Sequence, residues 1–426
     1  MTLRIGIAGL GTVGGGLLSL LTEDGRARMI GSDIAVTGVS ARTKNKARAV
    51  PIDAYDWYDD PVALAEAPGT DVFVELMGGA EGPAREAVTA ALKAGKSVAT
   101  ANKALIAAHG EELARLAEEN GGALKFEAAV AGGTPIVRAL RDNLAPCRVE
   151  AVSGILNGTC NFVLDQMANH GVAYDDAVVQ AQEAGFAEAD PSLDVDGIDA
   201  AQKLAILAML AFDGTVNPEL ITEQNNIFAV HGISNITLDD IRFARRFGFV
   251  IKLVGEAKRA GDDITMAVSP TFVATGHAFS KMEGAGNAVA VIADPLGELL
   301  FTGPGAGAGA TASAVASDIV SLARKDGGPV FTAPVDRLRP LPVREGGEEL
   351  RLYALRLRAE EGELDEEAVT AALAEAGCFT SRCELVGDDL MITTSPIDEK
   401  TLSSARTLLF TRGLARTENT FPILTL

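Results

Sequence analysis

Cysteine and histidine are scarce, at four residues each in a chain of 426. The cysteines (Cys147, Cys160, Cys378 and Cys383) show no CxxC or zinc spacing, which leaves reduced thiols in a cytoplasm as the simplest account. Positive charge is short too. Thirty-seven Lys and Arg face 58 Asp and Glu, for a net charge of −21 and a pI near 4.7. Phosphates repel such a surface, so nucleic acid is excluded as a partner. No apolar run reaches spanning length without interruption, so no membrane partner is expected. The opening Met-Thr-Leu-Arg-Ile-Gly-Ile-Ala-Gly lacks a basic lead and a long apolar stretch, and does not read as a secretory signal. What is there, 47% apolar and 22% charged residues, suits a soluble protein of two or three domains.

Residues 3–8 read as a short buried strand, and the run Leu17–Leu21 reads as a helix. Between them lies Gly9-Leu10-Gly11-Thr12-Val13-Gly14, a G-x-G-x-x-G in the setting that dinucleotide binding requires. The first glycine makes the turn, the second lets backbone approach a pyrophosphate, and the third lets helix pack on strand. The helix N-terminus adds partial positive charge. The next strand, 34–39, ends in Ser40-Ala41-Arg42-Thr43-Lys44. A site preferring NAD would place a carboxylate there. None is present, and Arg42 and Lys44 suit a 2′-phosphate, so NADP is favoured over NAD.

Further strands are expected at 71–76, 96–100 and 123–130, with helices at 83–94 and about 109–119. This alternation predicts a Rossmann-type, doubly wound parallel sheet over residues 1–134. Lys103 follows a strand and so points toward the nicotinamide region. Ala131-Gly132-Gly133-Thr134-Pro135 marks a crossing into a second, α+β domain over 135–304. There Pro135 opens a helix and a strand spans 149–156. Helices reach His170 and span 174–184, and strands recur at 249–257, 264–271 and 287–292. A second glycine-rich loop, residues 303–309, opens a helix, about 305–325, that could return to the first domain. Residues 326–349 read as a linker, rich in Gly, Pro and charge. Residues 350–426 read as a ferredoxin-like β-α-β-β-α-β domain.

The densest polar stretch is Glu183 to Lys203, where six carboxylates precede one lysine. Pro191 and Gly197 make its first half a loop, and an apolar helix starts near Ile198. Asp199 and Lys203 share a helix face. One reading is a solvated loop before a core helix. The other is a site in which carboxylates grip a cationic substrate and Lys203 moves a proton. With Lys103 in the same pocket, two ammonium groups would push one lysine toward neutrality, as proton transfer to a carbonyl needs. Glu188 and Asp194 suit a substrate ammonium, and the turn Asn157-Gly158-Thr159 suits its carboxylate. That points to an amino-acid alcohol or aldehyde. A rival reading makes Cys160 a nucleophile, which needs a base from His109, His170, His231 or His277.

Together these motifs resemble homoserine dehydrogenase. The matching residues are the Gly9–Gly14 loop, Ala101-Asn102-Lys103, Gly154 to Thr159, the acidic stretch through Lys203, and Gly305-Ala-Gly with Thr311 to Val315. The resemblance implies reversible NAD(P)-dependent interconversion of L-homoserine and L-aspartate 4-semialdehyde, in threonine and methionine synthesis. It implies Lys203 and Lys103 at the reaction centre. Gly158, Thr159, Glu188 and Asp194 would bind substrate, with Asp199 orienting Lys203. Gly9, Gly11, Thr12, Val13, Gly14, Arg42, Lys44, Lys103 and Gly305 would bind cofactor. A sodium or potassium ion would sit at Glu127 with the carbonyls around Val130, Gly132 and Thr134. The expected assembly is a homodimer or homotetramer. Two departures stand out: Phe186 replaces the family's usual Tyr, and Cys160 its usual Thr. The last 80 residues resemble a degenerate ACT domain, in which Glu360 to Asp365 replaces the expected Asp-x-Pro-Gly turn. Threonine inhibition is therefore not expected, and assembly is the domain's reading. The alternatives are another NAD(P)-dependent semialdehyde or amino-acid dehydrogenase, or a non-catalytic NADP-sensing protein.

Overall fold

A computed structural model describes residues 2–22, 33–48, 50–220, 229–344, 349–360 and 362–425. The first sheet is built from β1 (Leu3–Ala8), β2 (Ile34–Ser40), β3 (Asp56–Tyr58), β4 (Val72–Glu75), β5 (Ser97–Thr100) and β6 (Leu124–Lys125). Its order is β3-β2-β1-β4-β5-β6, with every pairing parallel. Ile5, Ile7, Phe73, Val74 and Val98 are fully buried, as central strands covered on both faces require. The order reverses between β1 and β4, and a crevice for ligand opens there beyond the strand ends.

Three local expectations are corrected. The helix expected at 109–119 runs from Lys103 to Asn120, because the Asn102 side chain caps it through the Leu105 amide. The strand expected to reach residue 130 stops at Lys125. There the Glu127 carboxylate accepts the amides of Val137 and Arg138, at 3.1 and 2.8 Å, and bends the chain into a 3-10 turn. The helix expected after Pro135 is a single turn, Ile136–Arg138, followed by a π-turn.

The remaining strands before the C-terminal unit are β7 (Arg148–Ile155), β8 (Gly214–Thr215), β9 (Ala229–Val230), β10 (Phe249–Ala260), β11 (Asp263–Ala274), β12 (Gly286–Asp294), β13 (Gly297–Pro304), β14 (Arg339–Pro340) and β15 (Val343–Arg344). They form a mixed sheet, β13-β12-β7-β10-β11-β15, with β9 also on β11 and with β8 pairing β14 apart. Strand β13 escaped the sequence reading. The helix Ile198–Ala211 is apolar nearly all round and buried on almost every side. It packs between the Lys103–Asn120 helix and strands β7 and β10. That position carries Lys203 to the junction of the two sheets.

The helix Ala308–Arg324 packs against the first sheet and its helix Thr12–Thr22. Its Val315 and Ile319 join the core of Ile5, Ile7 and Leu17. Residues 326–344 are not a free linker. Val330, Phe331 and Val335 are buried, and β14 and β15 join strands of the second domain. The end of that stretch, 345–348, lies outside the described residues, as does Glu361 of the replaced turn. The C-terminal strands β16 (Tyr353–Arg358), β17 (Thr380–Val386), β18 (Asp389–Thr394) and β19 (Arg416–Pro422) form an antiparallel sheet, β17-β18-β16-β19. Two helices, Glu366–Glu375 and Glu399–Thr411, complete the β-α-β-β-α-β order. The Phe421 ring stacks on Phe272 of β11 with centroids 4.8 Å apart, and the Leu424 amide donates to the Phe272 carbonyl. Among the described residues no helix is long and apolar enough to cross a membrane.

Candidate active site

The glycine loop is shaped by close approach. Gly9 has φ +102°, and a Cβ there would lie 2.3 Å from the Leu76 carbonyl oxygen. A Cβ at Gly14 would lie 2.0 Å from the Gly9 oxygen. At Gly11 nothing stands within 4 Å, so the loop is open where a pyrophosphate would approach. Thr12 starts the helix whose free amides face that opening.

The far wall is set by a buried network. Glu75 accepts the amides of Met77 and Gly78 on one oxygen and the Thr100 hydroxyl, at 2.6 Å, on the other. Thr100 in turn accepts the Asn102 amide, and the Asn102 side chain donates to the Gly79 carbonyl. Lys103 therefore begins its helix in a fixed place over the crevice.

Asp199 joins the two lysines. Its Oδ1 lies 3.0 Å from Lys103 Nζ, and its Oδ2 lies 2.8 Å from Lys203 Nζ. Burial disfavours its charge, yet Lys203 and Lys103 together hold the carboxyl well below the usual range. Asp199 likewise holds Lys103 above its ordinary pKa, against burial. This corrects the expectation of mutual repulsion: the buried anion between the ammonium groups cancels it. Lys203 also donates to the Leu156 carbonyl at 2.8 Å, and Asn287 donates to the same oxygen at 3.1 Å. A Cβ at Gly305 would fall 2.0 Å from Asn287 Oδ1, so the second glycine loop is seated directly against this group.

The acidic stretch divides. Asp194 is half-buried, and its Oδ1 accepts from Asn157 Nδ2 at 2.8 Å. Burial and the neighbouring Asp199 push its carboxyl up. Glu188 is exposed at the rim, close enough to favour the charge on Lys103. The Thr159 hydroxyl donates to the Phe186 carbonyl at 2.7 Å, a main-chain contact that does not depend on the side chain at 186. The Phe186 ring packs on Phe162.

Asn157, which the sequence offered only as part of a carboxylate-binding turn, makes supporting contacts that sequence reasoning missed. Its amide bridges Asp194 and Asp199, while its oxygen caps the Gly158–His170 helix through the Cys160 amide. Sequence reasoning also missed Lys252. Burial pushes it down to about 8, and it donates to Asn161 and the Met282 carbonyl. This holds the 282–286 segment against Gly158, where a Cβ would meet the Ala285 oxygen at 2.9 Å. Cys160 is fully buried, burial pushes its thiol up, and its Sγ donates to the Asp194 carbonyl. These surroundings oppose a thiolate nucleophile.

Glu127 is buried, and burial pushes its carboxyl up. The Thr134 hydroxyl is buried without a partner among the described residues. Among those residues no three His, Cys, Asp or Glu side chains cluster to hold a metal, so an ion here would depend on carbonyls. Arg42 and Lys44 lie exposed on the loop after β2.

A dinucleotide-binding sheet whose crevice meets two lysines across a buried carboxylate is that of a nicotinamide-dependent oxidoreductase. Two family models match the chain: homoserine dehydrogenase, NAD binding domain, over residues 9–127, and homoserine dehydrogenase over 135–320. A homoserine dehydrogenase of Corynebacterium glutamicum is 39% identical over 97% of this chain and 94% of its own length. One from Synechocystis is 42% identical over 76% of this chain and 73% of its own. The crystal structure of a homoserine dehydrogenase from Thiobacillus denitrificans matches with a TM-score of 0.90 at 35% identity, covering 100% of this chain and 98% of that one. A hyperthermophilic archaeal homoserine dehydrogenase in complex with NADPH matches with a TM-score of 0.66 at 29% identity, over 78% of this chain and 100% of that one. The chain belongs to the homoserine dehydrogenase family, and it is an oxidoreductase.

Proposed function

We propose that the chain reduces L-aspartate 4-semialdehyde reversibly to L-homoserine, with NADP favoured over NAD. The Asp199 carboxylate between Lys103 and Lys203 carries this reading. The nicotinamide, when bound, supplies the hydride. Gly9, Gly11, Thr12, Val13, Gly14 and Gly305 hold the cofactor's phosphates, and Arg42 and Lys44 its 2′-phosphate. Lys203, paired with Asp199, gives its proton to the aldehyde oxygen and takes it back in the reverse direction. Lys103 orients the same oxygen. Asp194 and Glu188 receive the substrate ammonium, and Gly158 and Thr159 its carboxylate. Assay of the purified chain for NADPH oxidation with L-aspartate 4-semialdehyde tests this; binding of NADPH without its oxidation would leave only a nucleotide-sensing role.

A sodium or potassium ion fits at Glu127 with the carbonyls of Val130, Gly132 and Thr134. A buried carboxylate and a buried hydroxyl without a partner among the described residues support that fit, and oxygen donors suit a hard cation. The ion would neutralise Glu127 and stiffen the crossing between domains. The β-α-β-β-α-β unit is proposed to be ACT-like and to serve assembly as a homodimer or homotetramer, which light scattering would read. A place in threonine and methionine synthesis, in the cytoplasm, follows from the same reading.

A further inference from the structure

The loop after β2 holds a group that the cofactor reading does not use. Residues 42–48, Arg-Thr-Lys-Asn-Lys-Ala-Arg, carry four cations and no carboxylate in a chain of net charge −21. Arg48 turns its guanidinium back onto this loop. Its Nη1 donates to the carbonyls of Lys44 and Lys46, at 2.7 and 3.0 Å, and its Nη2 donates to that of Thr43. The hydrogen-bond partners of Arg48 among the described residues are thus carbonyls rather than carboxylates. Both Arg48 and Lys44 lie over the ring of Trp57, 5.8 and 5.7 Å from its centroid. Trp57 pairs with Val39 in the parallel sheet, and its indole N–H is anchored on Asp59 at 2.7 Å. Strand β2 ends at Ser40, whose carbonyl accepts the Gly9 amide of the first glycine loop at 2.9 Å. The cationic loop therefore starts at the edge of the pyrophosphate turn, where the adenosine ribose would lie.

We propose that Arg48 and Trp57 form the platform of the adenosine 2′-phosphate subsite, with Arg48 as the positioning residue that fixes the loop. The proposal rests on the NADP reading above. Arg48 closes residues 43–46 into one shape by gathering their carbonyls. Trp57 supports two cations on its negative face, which lowers the cost of holding like charges together. The phosphomonoester then meets a prepared cluster rather than mobile lysines, and preorganisation of this kind improves affinity. A purely structural turn would be needed equally for NADH and NADPH. A 2′-phosphate platform is needed for NADPH alone.

Trp57 is the chain's one tryptophan, so its emission reports on this place. Adenosine 2′,5′-bisphosphate should change that emission at concentrations where adenosine 5′-monophosphate does not. Arg48→Met should weaken the bisphosphate about tenfold and raise the KM for NADPH about tenfold relative to that for NADH. Lys44→Met, which leaves the Arg48 clamp in place, should act in the same direction. Equal losses for NADH and NADPH in both variants would overturn the proposal. So would bisphosphate binding, seen by calorimetry, that leaves Trp57 emission unchanged. Failure of the NADP reading itself is separate: the unaltered chain would then bind bisphosphate and monophosphate alike.

Discussion

Two buried charge clusters in this molecule are near mirror images. In one, a carboxylate, Asp199, sits between two ammonium groups. In the other, a guanidinium, Arg356, sits between two carboxylates, donating to Asp240 at 2.8 Å and to Asp389 at 3.0 Å. The difference is access. Arg356, Asp240 and Asp389 have side-chain exposures of 5%, 0% and 6%, so that cluster is closed. Its other bonds are internal as well: Asp240 caps the Leu238–Arg246 helix and accepts from Asn419, and Asp389 accepts from Arg358. The Asp199 cluster closes on the Lys203 side, at 12%, and opens on the Lys103 side, at 37%. A closed cluster fixes one part of the fold on another. An open one keeps charge available to a ligand. The C-terminal unit is therefore held as a rigid part of the protein, while the lysine pair faces the crevice.

Removing Lys203 should break the comparison most sharply. Lys203→Ala is expected to lower kcat by about a thousandfold, within the usual range for loss of a general acid. Fluorescence titration of NADPH should give nearly unchanged binding, and retained turnover would remove Lys203 from the mechanism. Arg356→Met should do the opposite. It leaves Asp240 and Asp389 buried without their cation, at a cost of about 3–5 kcal/mol. Urea unfolding should read that loss while kcat of the folded fraction stays level. A change below about 1 kcal/mol would mean that the closed cluster is not a clamp.

Asp199→Asn sharpens the open side. The amide keeps the shape but removes the anion, and kcat should fall by about a hundredfold or less. The sign of the pH effect follows from Lys103, which Asp199 holds above its ordinary pKa. Without the carboxylate Lys103 loses its proton at lower pH, so the alkaline limb of the reduction profile should move down. An unmoved limb would show that the pair does not govern the proton. Asp194 supplies the acid limb. Burial and Asp199 raise its pKa, so on acidification it should lose its charge before an ordinary aspartate does. The KM for homoserine should rise there, and in Asp194→Asn it should be about tenfold higher with that dependence gone.

Much of this was legible because the chemistry is carried by charge and glycine at short spacings. The glycine loop, Lys103, the 183–203 stretch and the returning helix could all be read in line. The supporting contacts could not. Asn157 earns its place by reaching residues 37 and 42 positions away, and an uncharged amide gives no pattern that signals this. Glu75, Thr100 and Asn102 likewise meet only because β4 and β5 are neighbours. The stretch 326–344 misled for a related reason. Its Gly and Pro content marks a linker, but Phe331 packs beside Phe126 and Gly110, and the Val335 amide donates to Glu118, all in the first domain. The lysine repulsion was misjudged because the anion between the two belongs to the helix that carries one of them.

The smallest expected effect concerns Cys160, which lies next to the open cluster and takes no part in it. Its thiol is fully buried and donates to the Asp194 carbonyl. Burial and the nearby carboxylates of Asp194 and Asp199 push its pKa well up, so almost no thiolate exists at neutral pH. Iodoacetamide attacks thiolates, and it should leave the activity of the native protein largely unchanged. The partly exposed Cys147 makes a useful contrast, since it lies away from the site. Mass spectrometry of the treated protein would place the label. Inactivation that tracks modification of Cys160, and that aldehyde substrate prevents, would revive the nucleophile. Label on Cys147 with full activity would leave the open cluster working through nitrogen and oxygen alone.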